Sequence, residues 1–184
     1  MNFIPQLITD LILIKPTIHK DSRGYFAETF RKDLFEDMVG YKVDFIQDNE
    51  SQSIKGVLRG LHYQLPPYAQ SKLVRVLEGR VLDVAVDIRK SSPTFGQHIA
   101  MELTEKNNYQ LFIPRGFAHG YVVLSESATF SYKVDNYYAQ KSDHGVAFDD
   151  PRLGINWRLP LADLLLSDKD KQHPKLMSAT HLFD

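Results

Sequence analysis

Three side chains able to do chemistry, Arg59, His62 and Lys72, fall in one stretch, Gly56 to Asp87, reading GVLRGLHYQLPPYAQSKLVRVLEGRVLDVAVD. An imidazole is the natural proton carrier at neutral pH, and two cations beside it suit a small anion. The front half, GVLRGLHYQ, sets these groups around a turn. The back half, Leu73 to Ile88, alternates. Val74, Val76, Val84 and Val86 fall on even positions, and Gly79-Arg80 interrupts the run. That period predicts a strand, a tight turn and a strand. A loop of reactive side chains would then be held by a rigid hairpin, as a catalytic site requires.

Length and composition narrow the classes. At 184 residues the chain can bury one sizeable core, so a single domain over residues 1–184 is expected. Lys plus Arg number 22 against 23 Asp plus Glu, a net charge of -1 with no basic block. A nucleic-acid partner is therefore not expected. Cysteine is absent, which excludes disulfides, zinc-thiolate sites and a cysteine nucleophile, and fits a cytoplasmic protein. The apolar stretch LITDLILIKP is broken by Asp10 and stopped by Pro16. It lacks a basic lead and is far shorter than a membrane span, so it predicts a first β-strand and no membrane partner.

Along the chain, HKDSRG (His19 to Gly24) predicts a turn and YFAETF (Tyr25 to Phe30) a strand. Arg23 and Glu28 there read as a solvated turn arginine and a strand-surface carboxylate, or equally as ligand contacts. KDLFEDMVG (Lys32 to Gly40) predicts a helix capped by Asp33 and ended by Gly40, with Leu34, Phe35 and Met38 on one face. FIQDNE (Phe45 to Glu50) predicts a polar loop, whose Gln47 and Asn49 could also offer amides to a ligand. Ile99 to Leu103 and Tyr109 to Ile113 alternate like strands, and Pro114 with Gly116 makes a corner before His119. Ala128 to Val134 alternates again, with Phe130 and Tyr132 on one face. Gly145 to Phe148 predicts a short strand, and Ser167 to Asp170 a helix cap or a closed loop. From His173-Pro174 onward the pattern assigns no element. Many short strands, regular turn signals and few helices predict an all-β sandwich or barrel with a few short helices and a C-terminal helical or irregular segment. No dinucleotide-binding or P-loop pattern occurs.

The stretches RGLHYQ with SKLVR, then EGRVLDVAVDIRKSSPTFG, IPRGFAHG and KVDNYY, resemble in order the dTDP-4-dehydrorhamnose 3,5-epimerase family. The likeness runs from Phe3 to Asp170. It implies a cupin-type double-sheet jelly roll. Metal-binding cupins use H-x-H plus Glu and a later His. Here Tyr63 and Gln64 follow His62, and only His119 stands at the later position. Two imidazoles without a nearby carboxylate make a poor transition-metal site. Neither a metal nor any other cofactor is therefore expected, as in the family.

The resemblance implies cofactor-independent epimerisation of dTDP-4-dehydro-6-deoxy-D-glucose at C3 and C5 to dTDP-4-dehydro-L-rhamnose. The C4 ketone acidifies the neighbouring hydrogens. The reaction needs a base on one face, an acid across the ring and a cation or donor at the ketone oxygen. By residue-level match, His62 is the base, Asp170 its orienting carboxylate (with Asp168 a nearby competitor), Tyr132 the acid, and Lys72 the cation at the enolate. Taken from the residues alone, Tyr132 reads as a strand tyrosine packing beside Phe130. Arg23, Glu28, Gln47, Asn49, Arg59, His119, Asp143 and Lys169 resemble further substrate contacts, and Tyr138 the aromatic that stacks on thymine. Asp143 stands where a glutamate is usual. The family also implies a homodimer whose N-terminal strands cross, with Arg23 and Glu28 as candidates for reaching the other subunit. The alternatives are an epimerase of one carbon only, a non-catalytic sugar-binding cupin and a metal-dependent cupin.

Overall fold

In the computed structural model, which describes residues 1–184, the alternating runs form β1 (Asn2–Pro5), β2 (Ile12–Lys15), β3 (Ile18–Asp21), β4 (Gly24–Ala27), β5 (Gln47–Ile54), β6 (Leu58–Gln64), β7 (Lys72–Glu78), β8 (Arg80–Asp87), β9 (His98–Thr104), β10 (Gln110–Ile113), β11 (Phe117–Val123), β12 (Ser127–Val134) and β13 (Asp143–Gly145). A six-stranded sheet runs β1-β2-β10-β7-β12-β5 and a five-stranded sheet β13-β6-β11-β8-β9. This is the expected cupin-type double-sheet architecture. No helix is long and apolar enough to cross a membrane.

The central stretch is not the predicted hairpin. β7 lies in the six-stranded sheet between β10 and β12, whereas β8 lies in the other sheet between β11 and β9. Gly79, at φ 80°, turns the chain from sheet to sheet, and a Cβ there would lie 2.1 Å from the Ser127 carbonyl oxygen. Alternation decides which residues share a face, but not which strand is the neighbour. The consequence for the site is direct. Lys72 begins a strand of one sheet, while Arg59 and His62 belong to the other.

Between the sheets, Val74, Val76, Leu111, Ile113 and Phe130 meet Val81, Ala85, Phe117, Tyr121 and Val123. The outer face of the five-stranded sheet is also covered. Leu82, Val84, Val86, Ala118 and Val122 pack against Leu153, Trp157, Leu164 and Leu176 of the C-terminal segment. Every residue of β8 after Arg80 is therefore buried, which is why that strand carries apolar residues on both faces, interrupted only by Asp83 and Asp87. Each such aliphatic side chain contributes about 1.5–3 kcal/mol of burial.

The helix α1 (Lys32–Val39) covers part of the six-stranded sheet, with Phe35 edge-on to Phe112 at 4.9 Å between centroids. Gly40 ends it in a left-handed conformation, as expected. Asp33 is not its cap. Arg31 holds that position with no side-chain cap hydrogen bond, and Asp33 sits in the first turn, paired with the Arg31 guanidinium. Leu34 and Met38 are exposed, so Phe35 alone of the predicted face is buried.

Three other boundaries move. The polar run at Gln47 to Glu50 is not a loop but part of β5, an edge strand paired with β12. The HKDSRG turn shrinks to Ser22-Arg23 between β3 and β4, and the following strand stops at Ala27 rather than Phe30. The late short strand falls at Asp143–Gly145, ahead of its predicted place.

Candidate active site

Arg59 and His62 stand three apart on β6, so strict alternation would send them to opposite faces. A bulge prevents this. Arg59 pairs with Tyr121 and His62 with His119, which are only two apart on β11, and the register shifts between the pairs. The extra residue on β6 is absorbed there, and all four side chains line one cavity. Two glycines permit the close approach. Gly60 sits at φ 138°, and a Cβ on it would lie 2.5 Å from Gly120 Cα. Gly60→Ala is expected to destabilise the fold by about 2–4 kcal/mol. Denaturant titration checks this, and an unchanged midpoint would contradict the requirement for glycine.

The cavity is about 520 Å³. The five-stranded sheet supplies Arg59, His62, His119 and Tyr121; the six-stranded sheet supplies Ser51, Lys72, Phe130 and Tyr132. Ser167, Lys169 and Asp170 reach in from the C-terminal segment. A second recess, about 340 Å³, shares His62, Lys72, Tyr132 and Lys169 and adds Gln47, Asn49, Tyr138 and Asp143. The predicted site residues are thus brought together, with two exceptions. Arg23 lies at the tip of the β3–β4 hairpin, its side chain 88% exposed and paired with Asp21 at 2.6 Å. Glu28 follows β4. Neither lines the cavity or the recess.

His62 Nε2 meets Asp170 Oδ1 at 2.5 Å. Burial pushes the Asp170 carboxyl up, but the two neighbouring imidazoles, His173 and His62, together with Ser167, outweigh it and hold the group well below the usual carboxylate range. It is therefore an anion. An anion accepts the proton on Nε2, which assigns the other nitrogen, Nδ1, as the one with a free lone pair. The expected contact between His62 and Asp170 is present, and Asp168 does not share it.

His119 is buried and bonded through Nε2 to Asp83 Oδ2 at 2.9 Å. Burial lowers its pKa more than Asp83 raises it, and the nearby Lys72 and His62 add to the lowering, so the ring is neutral. Each imidazole therefore has a carboxylate partner. The expectation of two imidazoles with no carboxylate nearby is wrong. Sequence reasoning missed Asp83 and His173. Asp83 carried a signal, being an acid placed between Val81 and Ala85 on the core-facing side of the strand. His173 carried none, because its neighbours show no period.

Lys72 is pushed down to about 8, chiefly by loss of hydration, against the attraction of Asp83 and Asp143. The unfolded state holds the lysine proton over the window from about 8 to the model-peptide value of 10.5, and the folded state does not. In that window stability rises with pH on account of this group, while any role that needs an ammonium fades. We expect kcat/KM to fall about tenfold per pH unit above about 8. Lys72→Arg should remove that limb. A limb unchanged in Lys72→Arg would assign it elsewhere. Tyr132 behaves oppositely. Burial raises its pKa, Tyr121 adds to this and Arg59 opposes it, so the phenol keeps its proton.

At the outer end, the Tyr138 hydroxyl donates to Asp143 Oδ2 at 3.0 Å, and the Lys169 ammonium pairs with the same oxygen. The shorter acid reaches both partners. The Tyr138 ring is 61% exposed, a flat surface open to a base.

This geometry has close parallels. The profile of the family described as dTDP-4-dehydrorhamnose 3,5-epimerase matches residues 5–178. The protein of that name from Shigella flexneri is 51% identical over 98% of this chain and 99% of its own. The crystal structure of the Elizabethkingia anophelis dTDP-4-dehydrorhamnose 3,5-epimerase superposes with a TM-score of 0.95 at 49% identity, covering 98% of this chain and 99% of that one. A Legionella pneumophila dTDP-6-deoxy-D-glucose-3,5-epimerase, solved in complex with dTDP-4-keto-L-rhamnose, gives 0.92 at 47% identity, covering 96% and 93%. With a double-sheet fold, a shared cavity and full-length similarity in agreement, the chain belongs to the dTDP-4-dehydrorhamnose 3,5-epimerase family.

Proposed function

We propose that the chain epimerises dTDP-4-dehydro-6-deoxy-D-glucose at C3 and C5, giving dTDP-4-dehydro-L-rhamnose, with His62 as base and Tyr132 as acid. The observation that carries this reading is that the imidazole and the phenol, borne on opposite sheets, open into one cavity. His62 Nδ1 takes the proton beside the ketone, and Asp170 stabilises the imidazolium that forms. The Lys72 ammonium, which lines the same cavity, suits the charge that develops on the ketone oxygen. Tyr132 returns a proton from the far face. Arg59 suits the diphosphate, since Ser53 Oγ is its only close polar partner, at 3.2–3.3 Å. His119, neutral and fixed by Asp83, suits a hydrogen bond to the sugar. Tyr138 stacks on the base, with Gln47, Asn49, Asp143 and Lys169 around it.

The projecting β3–β4 hairpin supports a homodimer. It carries exposed Tyr25 and Phe26 and sets Arg23 and Glu28 away from their own cavity, where they can complete a partner's site. The absence of cysteine suits work in the cytoplasm.

The test is turnover of dTDP-4-dehydro-6-deoxy-D-glucose in deuterium oxide, followed by NMR. We expect deuterium and inversion at both C3 and C5. Label and inversion at one carbon only would replace the reading with a single-carbon epimerase, and no exchange at either would overturn it.

A further inference from the structure

Behind the base lies a second imidazole that the reaction does not use. His173 directly follows the short 3-10 segment Asp170–Gln172. Its side chain is only 9% exposed. Its Nε2 is buried and approaches Asp170 Oδ1 at 3.5 Å, near enough to help hold that carboxylate ionised but without the geometry of a hydrogen bond. The ring is wedged against the backbone of Gly145, where a Cβ would come within 2.4–2.5 Å of three ring atoms. It stands edge-on to His62, centroids 5.5 Å apart. The ligand-capable atoms of His62, Asp170 and His173 all lie within 4.8 Å of one another.

We propose that these three side chains form a binding site for a divalent borderline metal ion, such as Zn²⁺, and that occupancy switches the enzyme off. Two imidazoles and one carboxylate are a donor set that Zn²⁺ accepts, with a fourth position left for water. Bonds of about 2.0–2.2 Å to a tetrahedral ion set the donor atoms about 3.4 Å apart. Here the His62–Asp170 contact is shorter, at 2.5 Å, and the Asp170–His173 contact matches, at 3.5 Å. A small swing of the His62 ring, whose side chain is 31% exposed, opens the triangle and gives the ion its way in from the cavity. A buried nitrogen lone pair or N–H without a partner is costly, and the ion removes that cost at His173.

Inhibition follows from where the hydrogens go. In the metal-free enzyme His62 carries hydrogen on Nε2 and a lone pair on Nδ1. An ion bonded to Nε2 displaces that hydrogen to solvent, and the neutral ring takes one from solvent on Nδ1. No net proton is released, but the basic lone pair is gone. This step rests on the reading of His62 as base, whereas the metal site itself does not.

The experiment uses chelator-treated full-length protein. ZnCl₂ binding is followed by calorimetry, CoCl₂ binding by visible absorption, and turnover is read at each metal concentration relative to the metal-free rate of the same variant. His173→Ala and His173→Phe (the second keeps a ring under Gly145) are compared with His181→Ala. That control breaks the other close imidazole pair, His144 with His181, whose centroids are 4.8 Å apart. We expect one equivalent of Zn²⁺ that blocks turnover, and binding weakened by roughly 10–100-fold or more in both His173 variants, with inhibition weakened in parallel. No saturable binding, binding unchanged in both His173 variants, or binding lost in His181→Ala would overturn the site. Zn²⁺ held through His173 with turnover unaffected would leave the site standing and overturn the inhibition, whereas the role of His62 as base is judged separately by the turnover of His62→Ala.

Discussion

His62→Ala is expected to abolish turnover while the nucleotide sugar still binds. A positioned general base contributes about 10²–10⁴ in rate. His119, likewise bonded through Nε2 to a carboxylate, has a side chain only 7% exposed, against 31% for His62. Binding should survive because Arg59 lines the cavity, Lys169, Tyr138 and Asp143 line the recess, and the polar partners of all four are groups other than His62. Calorimetry with dTDP measures that directly. The variant also strands the Asp170 carboxylate, which is 5% exposed. An unpaired buried acceptor costs about 1–3 kcal/mol, more if charged, so a denaturation curve must accompany the kinetics. A folded variant that turns over within a few-fold of the parent would remove His62 from the mechanism.

Tyr132→Phe should separate abstraction from inversion. The change deletes one hydroxyl from a ring that packs beside Phe130 at 6.1 Å between centroids, so folding is not at risk. The base is intact, and the enolate still forms. A proton can then return only from the face it left. The expected result is solvent deuterium entering beside the ketone with retained configuration, and net inversion slowed by about 10²–10⁴. NMR of the sugar in deuterium oxide reads both outcomes in one tube. Inversion at the parent rate would show that the far-face proton comes from another group.

The reactive residues were the most legible part of the chain, and their spatial relations the least. The motifs placed His62, Lys72, Tyr132 and Asp170 together, and one cavity holds all four. The hairpin at Gly79 failed because apolar alternation is the same whether consecutive strands pair or cross between sheets. β5 read as a loop because it is an edge strand. One side faces the site through Gln47, Asn49 and Ser51, the other meets solvent through Asp48 and Glu50, and no apolar period remains. The Asp33 cap failed because Arg31 took the cap position and drew the carboxylate to itself. His173 was invisible because its placement depends on Gly145, a long-range contact that no local pattern encodes.

The carboxylate that arms His62 arrives 108 residues later in the chain. It is carried by a segment anchored where Leu58 N–H donates to the Leu165 carbonyl. The same stretch, through Leu164 and Leu176, seals the outer side of the five-stranded sheet. During translation the imidazole is therefore made long before its partner, and until the tail folds back the outer apolar face of the five-stranded sheet lacks its cover. On the proposed mechanism, completion of the surface and assembly of the base coincide, so a chain lacking this tail is expected to be inactive on the keto-sugar.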